Sequence, residues 1–316
     1  MGIVVIVFLI LLFLGMPVAF AIGISGTLFF LVTPDLPFAI VVQKVVASTQ
    51  SFTLLAIPLF VFAGNLMNKT GITKRLVTLS NVLTGHMYGN LAQVSCVLST
   101  LMGGISGSAN ADAAMESRIL GPAMTKRGYK KGYSAAVNGI TSLITATIPP
   151  SMGFIIYGSV GEVSIGRLFA AGIIPGLLMM VALMITVRFT ARSKGYLPER
   201  AQPASLREVG KATLDSIWAL LFPVILLVGI RFGVFTPSEG GAFAVAYAIF
   251  VGLFVYRELT WASFKEAVME SVGDIGVIMF LVALSGIMGY GVVYDSIPQK
   301  LASILLSSSQ NPYILL

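Results

Sequence analysis

Two short stretches keep hydroxyls, amides and unpaired carbonyls inside an otherwise apolar chain. The first is Gly103-Gly104-Ile105-Ser106-Gly107-Ser108-Ala109-Asn110-Ala111-Asp112, and the second runs from Thr145 to Ser151 with Pro149-Pro150 inside it. The first offers the Ser106 and Ser108 hydroxyls, the Asn110 amide and the carbonyls of a turn. The second offers Thr145, Thr147 and the carbonyls ahead of Pro149 and Pro150, because proline has no N–H to give the preceding turn. Such oxygens make a hard shell suited to a dehydrated sodium ion, and half-helix N-termini beside them favour a carboxylate. Alone, Gly-Ser-Gly-Ser could serve close helix packing and Pro-Pro a kink. Two breaks so near each other favour a binding site, with Asp112, Pro150 and Ser151 as its substrate-facing candidates. Asp112 is a functional candidate by default as a carboxylate at membrane depth, whether as ion ligand, proton site or structural partner. Glu116 and Arg118 are expected at the membrane interface, and Glu239 in an external loop.

Other chemistries are excluded. The lone cysteine, Cys96, lies in an apolar stretch and cannot form an internal disulfide or a cysteine metal cluster. His86 is the only histidine, so a site built from several histidines is impossible. No Gly-rich loop ending in Gly-Lys-Ser/Thr is present and no His-Glu-x-x-His, which removes P-loop nucleotide hydrolysis and that zinc chemistry. The chain reads as a transporter subunit without an organic cofactor rather than as an enzyme.

The elements that position the two breaks follow from composition. Apolar residues make up 56% of the chain and charged residues 10%, against roughly 25% charged in a soluble domain. So few charges cannot cover a water-facing surface, and the solvent is the lipid bilayer. The net charge of +7 gathers between apolar runs, which fits cytoplasmic loops under the positive-inside rule and not nucleic-acid binding. Residues 1–32 carry no charge and exceed the length of a signal-peptide core, so they read as a retained span: one kinked helix, or a lead-in followed by a span. A second span is expected over 48–67, interrupted by Pro58, then an amphipathic connection with Lys69, Lys74 and Arg75.

Residues 90–114 fit a re-entrant hairpin, since neither half is long enough to cross and basic loops flank both ends. Residues 133–157 then cross, broken at 148–151, and 168–187 return to a basic loop. A helical pair over 217–230 and 242–256 follows, with a further span over 271–293. The expected fold is all-α and polytopic, with about seven or eight transmembrane helices plus the hairpin. The expected organisation is 1–85 as scaffold helices with the amphipathic connection, and 86–187 as the first transport-domain half. Residues 188–214 read as a basic cytoplasmic loop, and 215–316 as the start of a second, incomplete repeat. Trp218 and Trp261 read as interfacial anchors.

The chain resembles the large membrane subunit of tripartite ATP-independent periplasmic (TRAP) transporters. The likeness lies in residues 51–60, 103–112, 148–151, 155–158 and 164–176, and covers most of the chain to about residue 200. It implies an elevator-type transporter with inverted repeats in the bacterial inner membrane, coupled to sodium. It also implies a small four-helix membrane subunit and a periplasmic substrate-binding protein as partners, and a carboxylate substrate such as a C4-dicarboxylate or sialic acid. Carried over, the first sodium site would use Ser106, Ser108 and Asn110, with Thr145 and the carbonyl near Pro149. The family's second hairpin and second broken helix would lie beyond Leu316.

Overall fold

The computed structural model describes residues 1–308, so the last stretch assigned to the second repeat, 309–316, lies outside the described residues. All regular elements described are helical. The chain forms two compact units: Met1–Ser51 together with the chain from Gly273 onward, and Phe52–Val272.

In the first unit, α1 (Gly2–Phe13) and α2 (Val18–Leu31) fold back on each other. Val4, near the start of α1, shares one apolar cluster with Phe29 and Phe30, near the end of α2, and with Val41 and Ile287. The arms are therefore antiparallel. At the helical rise they are about 18 and 21 Å long, short of the roughly 30 Å of hydrocarbon a span must cross. Residues 1–32 are thus a hairpin, neither one kinked helix nor a lead-in plus a span. Gly15, at φ +81°, turns the chain, and Pro17 cannot extend the hydrogen-bond ladder of α1. α3 (Ala39–Ala47) completes the N-terminal part of this unit.

In the second unit a 3-10 turn (Phe52–Leu55) leads into α4 (Ala56–Lys69), and together they make one span. Pro58 does not interrupt it. It lies in the first turn of α4, where an N–H would have no intrahelical acceptor. α5 (Ile72–Thr84) is the expected amphipathic connection and buries Ile72, Leu76 and Leu79. Next come α6 (Asn90–Gly103), α7 (Ala109–Lys126), α8 (Lys131–Thr147) and α9 (Met152–Val160), the last two meeting at a 46° bend. α10 (Ile165–Ser193) is a 29-residue apolar helix.

The basic stretch 188–214 is not simply a loop. α10 runs into it as far as Ser193, and α11 (Leu206–Asp215) starts within it on a Ser205–Glu208 capping box. α12 (Ile217–Arg231) and α13 (Pro237–Phe250, extended by a π turn at Val251–Val255) form the expected pair, and α14 (Trp261–Tyr294) is a 34-residue helix followed by α15 (Ile297–Ser308). Glu239 belongs to the first turn of α13 rather than to a loop. Its carboxylate accepts from the Thr236 N–H at 2.8 Å, while its own N–H donates to the Thr236 hydroxyl at 3.3 Å. Thr236→Ala is expected to lower the unfolding free energy by about 1 kcal/mol, read as a lower midpoint in thermal denaturation.

Among the described residues four helices are long and apolar enough to cross a membrane, and up to six if each bent pair is one span. The expected count was about seven or eight. One cause of the difference is 1–32, whose unbroken hydropathy conceals a turn between two shorter helices.

Candidate functional site: a hairpin tip against a broken helix

α6 and α7 are the antiparallel arms of a hairpin whose register is written in side-chain contacts. Ser99 on α6 donates to Asp112 on α7 at 2.7 Å. One turn further from the tip on both arms, Ser95 donates to Glu116. α8 lies across both arms: Thr145 donates to Asp112 Oδ2 at 2.6 Å and lies 2.8 Å from the Ser99 carbonyl. Thr141 donates to Glu116 Oε2 at 3.1 Å.

The tip spans 104–108. The amides of Ile105 and Ser106 both donate to the Met102 carbonyl, closing the end of α6. Gly107 takes the left-handed conformation at φ +59°, and Ser108 caps α7 by accepting from the Ala111 N–H at 3.3 Å. α4 packs close behind, because a Cβ on Gly64 would stand 3.1 Å from the Ser106 Cα.

The break between α8 and α9 meets this tip. Pro149 has no N–H for the Thr145 carbonyl, and Pro150 none for that of Ala146. Ser151 Oγ takes over the Ala146 carbonyl at 2.5 Å and caps α9 by accepting from the Phe154 N–H. The Thr145 carbonyl has lost its helical donor. The first amide of α9, at Met152, donates to the Gly107 carbonyl at 3.4 Å. The hairpin thereby supplies an acceptor for one of the orphan amides that every helix start presents.

With this geometry in place, comparison with known proteins is decisive. The family model described as the tripartite ATP-independent periplasmic transporter, DctM component, matches residues 5–316. The chain belongs to the DctM family. Among curated proteins it is 38% identical over 306 residues to the sialic acid TRAP transporter large permease SiaM of Vibrio cholerae, covering 97% of this chain and 71% of that protein. It is 37% identical over 302 residues to the 2,3-diketo-L-gulonate TRAP transporter large permease YiaN of Escherichia coli, covering 96% and 71%. To the C4-dicarboxylate TRAP transporter large permease DctM of Pseudomonas aeruginosa it is 33% identical over 297 residues, covering 94% and 69%. These relatives are transporter permease subunits and not enzymes. Membership and apolar helices together make this a multi-pass membrane protein.

In this DctM-family chain the sequence-derived site residues divide into three groups. Pro150 and Ser151 meet Gly107 of the tip at the junction, with Pro149 and Pro150 buried. Thr145 and Asp112 bond to each other below it, and Asp112 is 1% exposed, turned into the protein rather than towards an open pocket. Ser106 is buried with its hydroxyl 3.5 Å from the Met102 carbonyl, Ser108 is a helix cap, and Asn110 is exposed.

Sequence reasoning missed Glu116. Expected at the interface, it is fully buried among Ser95, Ser99 and Thr141, while Arg118 is exposed. Ser95, Ser99, Asn138 and Thr141 also went unnoticed. The available signal was spacing: Ser95 and Ser99 on α6, and Asp112 and Glu116 on α7, are each four apart and share a helix face.

The hairpin base is clamped. Arg127, at the end of α7, pairs with Glu199 at 2.8 Å and donates to Asn90 Oδ1 at 2.9 Å. Asn90 donates to Glu199 at 3.0 Å, and the Gly85 carbonyl accepts from the amides of Glu199 and Arg200. Tyr196 stacks on Tyr129 at 4.1 Å between ring centroids. The ion pair is partly exposed, so Arg127→Met is expected to cost only about 1 kcal/mol, measured as a shifted denaturation midpoint.

Proposed function

We propose that this chain carries an organic acid across the bacterial inner membrane in symport with sodium. It does so with a small four-helix membrane subunit and a periplasmic substrate-binding protein, by an elevator motion of the domain that holds the hairpin. The observation that carries the reading is the meeting of the hairpin tip with the break at Pro149-Pro150, two irregular segments joined at Gly107 and Met152. Irregular backbone at membrane depth is tolerated where it is buried in protein or lines a cavity.

The substrates named for the three relatives above are sialic acid, 2,3-diketo-L-gulonate and C4-dicarboxylates, all carboxylates, while a further relative is named for isethionate, a sulfonate. The start of α7 suits such a group: the amides of Ala109 and Asn110 have no intrahelical acceptor, the helix N-terminus favours an anion, and the Asn110 side chain is exposed beside them. Sodium would be held by oxygens around the junction, namely those of Ser106, Ser108 and Asn110 with the carbonyls near Thr145 and Pro149. Thr145 would contribute its freed carbonyl, since its hydroxyl is engaged with Asp112. Asp112 then acts behind the substrate rather than on it, while Pro150 and Ser151 shape the opposite wall.

The test is uptake of these three substrate types into proteoliposomes holding both membrane subunits. Accumulation should require an inward sodium gradient and the binding protein. Uptake indifferent to sodium would remove the coupling ion. Uptake without the binding protein would replace the tripartite reading with a one-component carrier.

A further inference from the structure

Glu116 is a buried acid without a counter-ion. Ser95 and Thr141 contact its Oε2, and Ser99 lies 2.9 Å from its Oε1. Among the described residues no lysine, arginine or histidine bonds to Glu116 or to Asp112. A buried carboxylate needs a pairing charge or a proton.

Counting hydrogens places a proton on one of the two acids. Ser99 Oγ lies between Asp112 Oδ2 at 2.7 Å and Glu116 Oε1 at 2.9 Å, yet a serine hydroxyl has one hydrogen. One of the two contacts must therefore be filled by a hydrogen from a carboxylic acid. The single Thr145 hydrogen faces both Asp112 Oδ2 at 2.6 Å and the Ser99 carbonyl at 2.8 Å, and Asp112 Oδ1 has no partner. The choice between the acids therefore rests on position. Asp112 lies in the first turn of α7, where the helix N-terminus favours a negative charge. Glu116 lies a turn deeper. With the proton on Glu116 Oε1 the chain runs Glu116 to Ser99 to Asp112, and Oε2 remains an acceptor for Ser95 and Thr141.

An independent feature points to exchange with water. Asn138 on α8 is 1% exposed, its Oδ1 is 3.4 Å from Ser95 Oγ, and its Nδ2 has no partner. Asn138 also lines a groove of about 540 Å³ along α7 and α8 whose other walls include Ser117, Thr125, Lys126 and Lys131. The groove thus reaches a side chain that touches the cage around Glu116.

The surrounding charges are few. On α6 the titratable group facing Glu116 is Cys96. On α8, Lys131 lines the groove and Tyr133 bonds to Thr190. On α7, beyond Asp112, Arg118 is exposed and Lys126 lines the groove.

We propose that Glu116 is a proton-binding residue of the hairpin, charged and discharged through the groove that Asn138 lines. The ligand is a single proton held between Glu116 and Ser99, and the inference does not rest on sodium coupling or on the substrate.

Infrared spectra of the purified full chain in lipid nanodiscs at neutral pH test it without any transport assay. The expected result is a carbonyl-stretch band of a protonated carboxylic acid. It should shift when the protein is made with ¹³C-labelled glutamate, move down in D₂O, and be absent from Glu116→Gln. The labelling separates glutamate from aspartate without any substitution. If Glu116→Gln fails to fold, Ser99→Thr gives the site assignment, because it should shift the glutamate band, and a band that it leaves unmoved would overturn the assignment to Glu116. Absence of the band, or a shift only with ¹³C-labelled aspartate, would overturn the assignment. A glutamate band that never responds to D₂O would overturn exchange through the groove and leave a sealed structural acid.

Discussion

Gly107→Ala should reduce uptake by the assembled transporter to background. Gly107 sits at φ +59°, which costs about 1–2 kcal/mol for a residue bearing a Cβ. Sterics add more. The new methyl would overlap the Pro150 carbonyl oxygen and lie 2.9 Å from its carbon. These are backbone atoms and cannot swing aside, so the tip and the break must separate and the Gly107–Met152 hydrogen bond with them. Gly128→Ala is the control. It also sits at positive φ, +81°, but its Cβ would meet open space, so it should lose about 1–2 kcal/mol of stability and keep its uptake. If Gly107→Ala transports like the parent protein, the contact between tip and break plays no part in the working cycle.

The second large effect is expected at Ser99. Its hydroxyl donates to Asp112 and also meets Glu116, and a hydrogen bond to a charged group contributes about 1.5–3 kcal/mol. Ser99→Ala should therefore lower stability by about 3 kcal/mol, visible as a reduced thermal midpoint and faster inactivation in detergent. Ser99→Thr should recover most of the loss because it restores the hydroxyl. Ser106→Ala provides the contrast, because its hydroxyl makes a long hydrogen bond of 3.5 Å to its own helical turn. It should leave stability nearly unchanged and act, on the proposed reading, through sodium dependence alone. Equal destabilisation by the two alanines would show that the buried acids are not what holds the hairpin together.

The two breaks were legible in the sequence because glycine, serine and paired prolines in apolar surroundings have few structural excuses. The interior of the hairpin was not. Ser95 on α6 and Asn138 and Thr141 on α8 are ordinary polar residues, and only the antiparallel register of α6 and α7 with α8 across them gathers them around Glu116. Glu116 was misplaced because Arg118 and Lys126 follow it closely, and nearby bases suggest an interface. At residues 1–32 hydropathy concealed the turn, although Gly15 and Pro17 were in plain view. Average hydrophobicity measures affinity for lipid and is blind to where the backbone reverses.

The clamp at the hairpin base bears on how the protein is made. Asn90 and its partner Glu199 are separated by 109 positions, and Arg127 also waits for Glu199. During synthesis both hairpin arms leave the ribosome long before the residues that secure them. Until then a helical pair carrying two acids sits in or beside the translocon with its base untethered. The hairpin is therefore a late-setting element, and a ribosome stalled ahead of Glu199 should leave it accessible to protease and to aqueous labelling reagents.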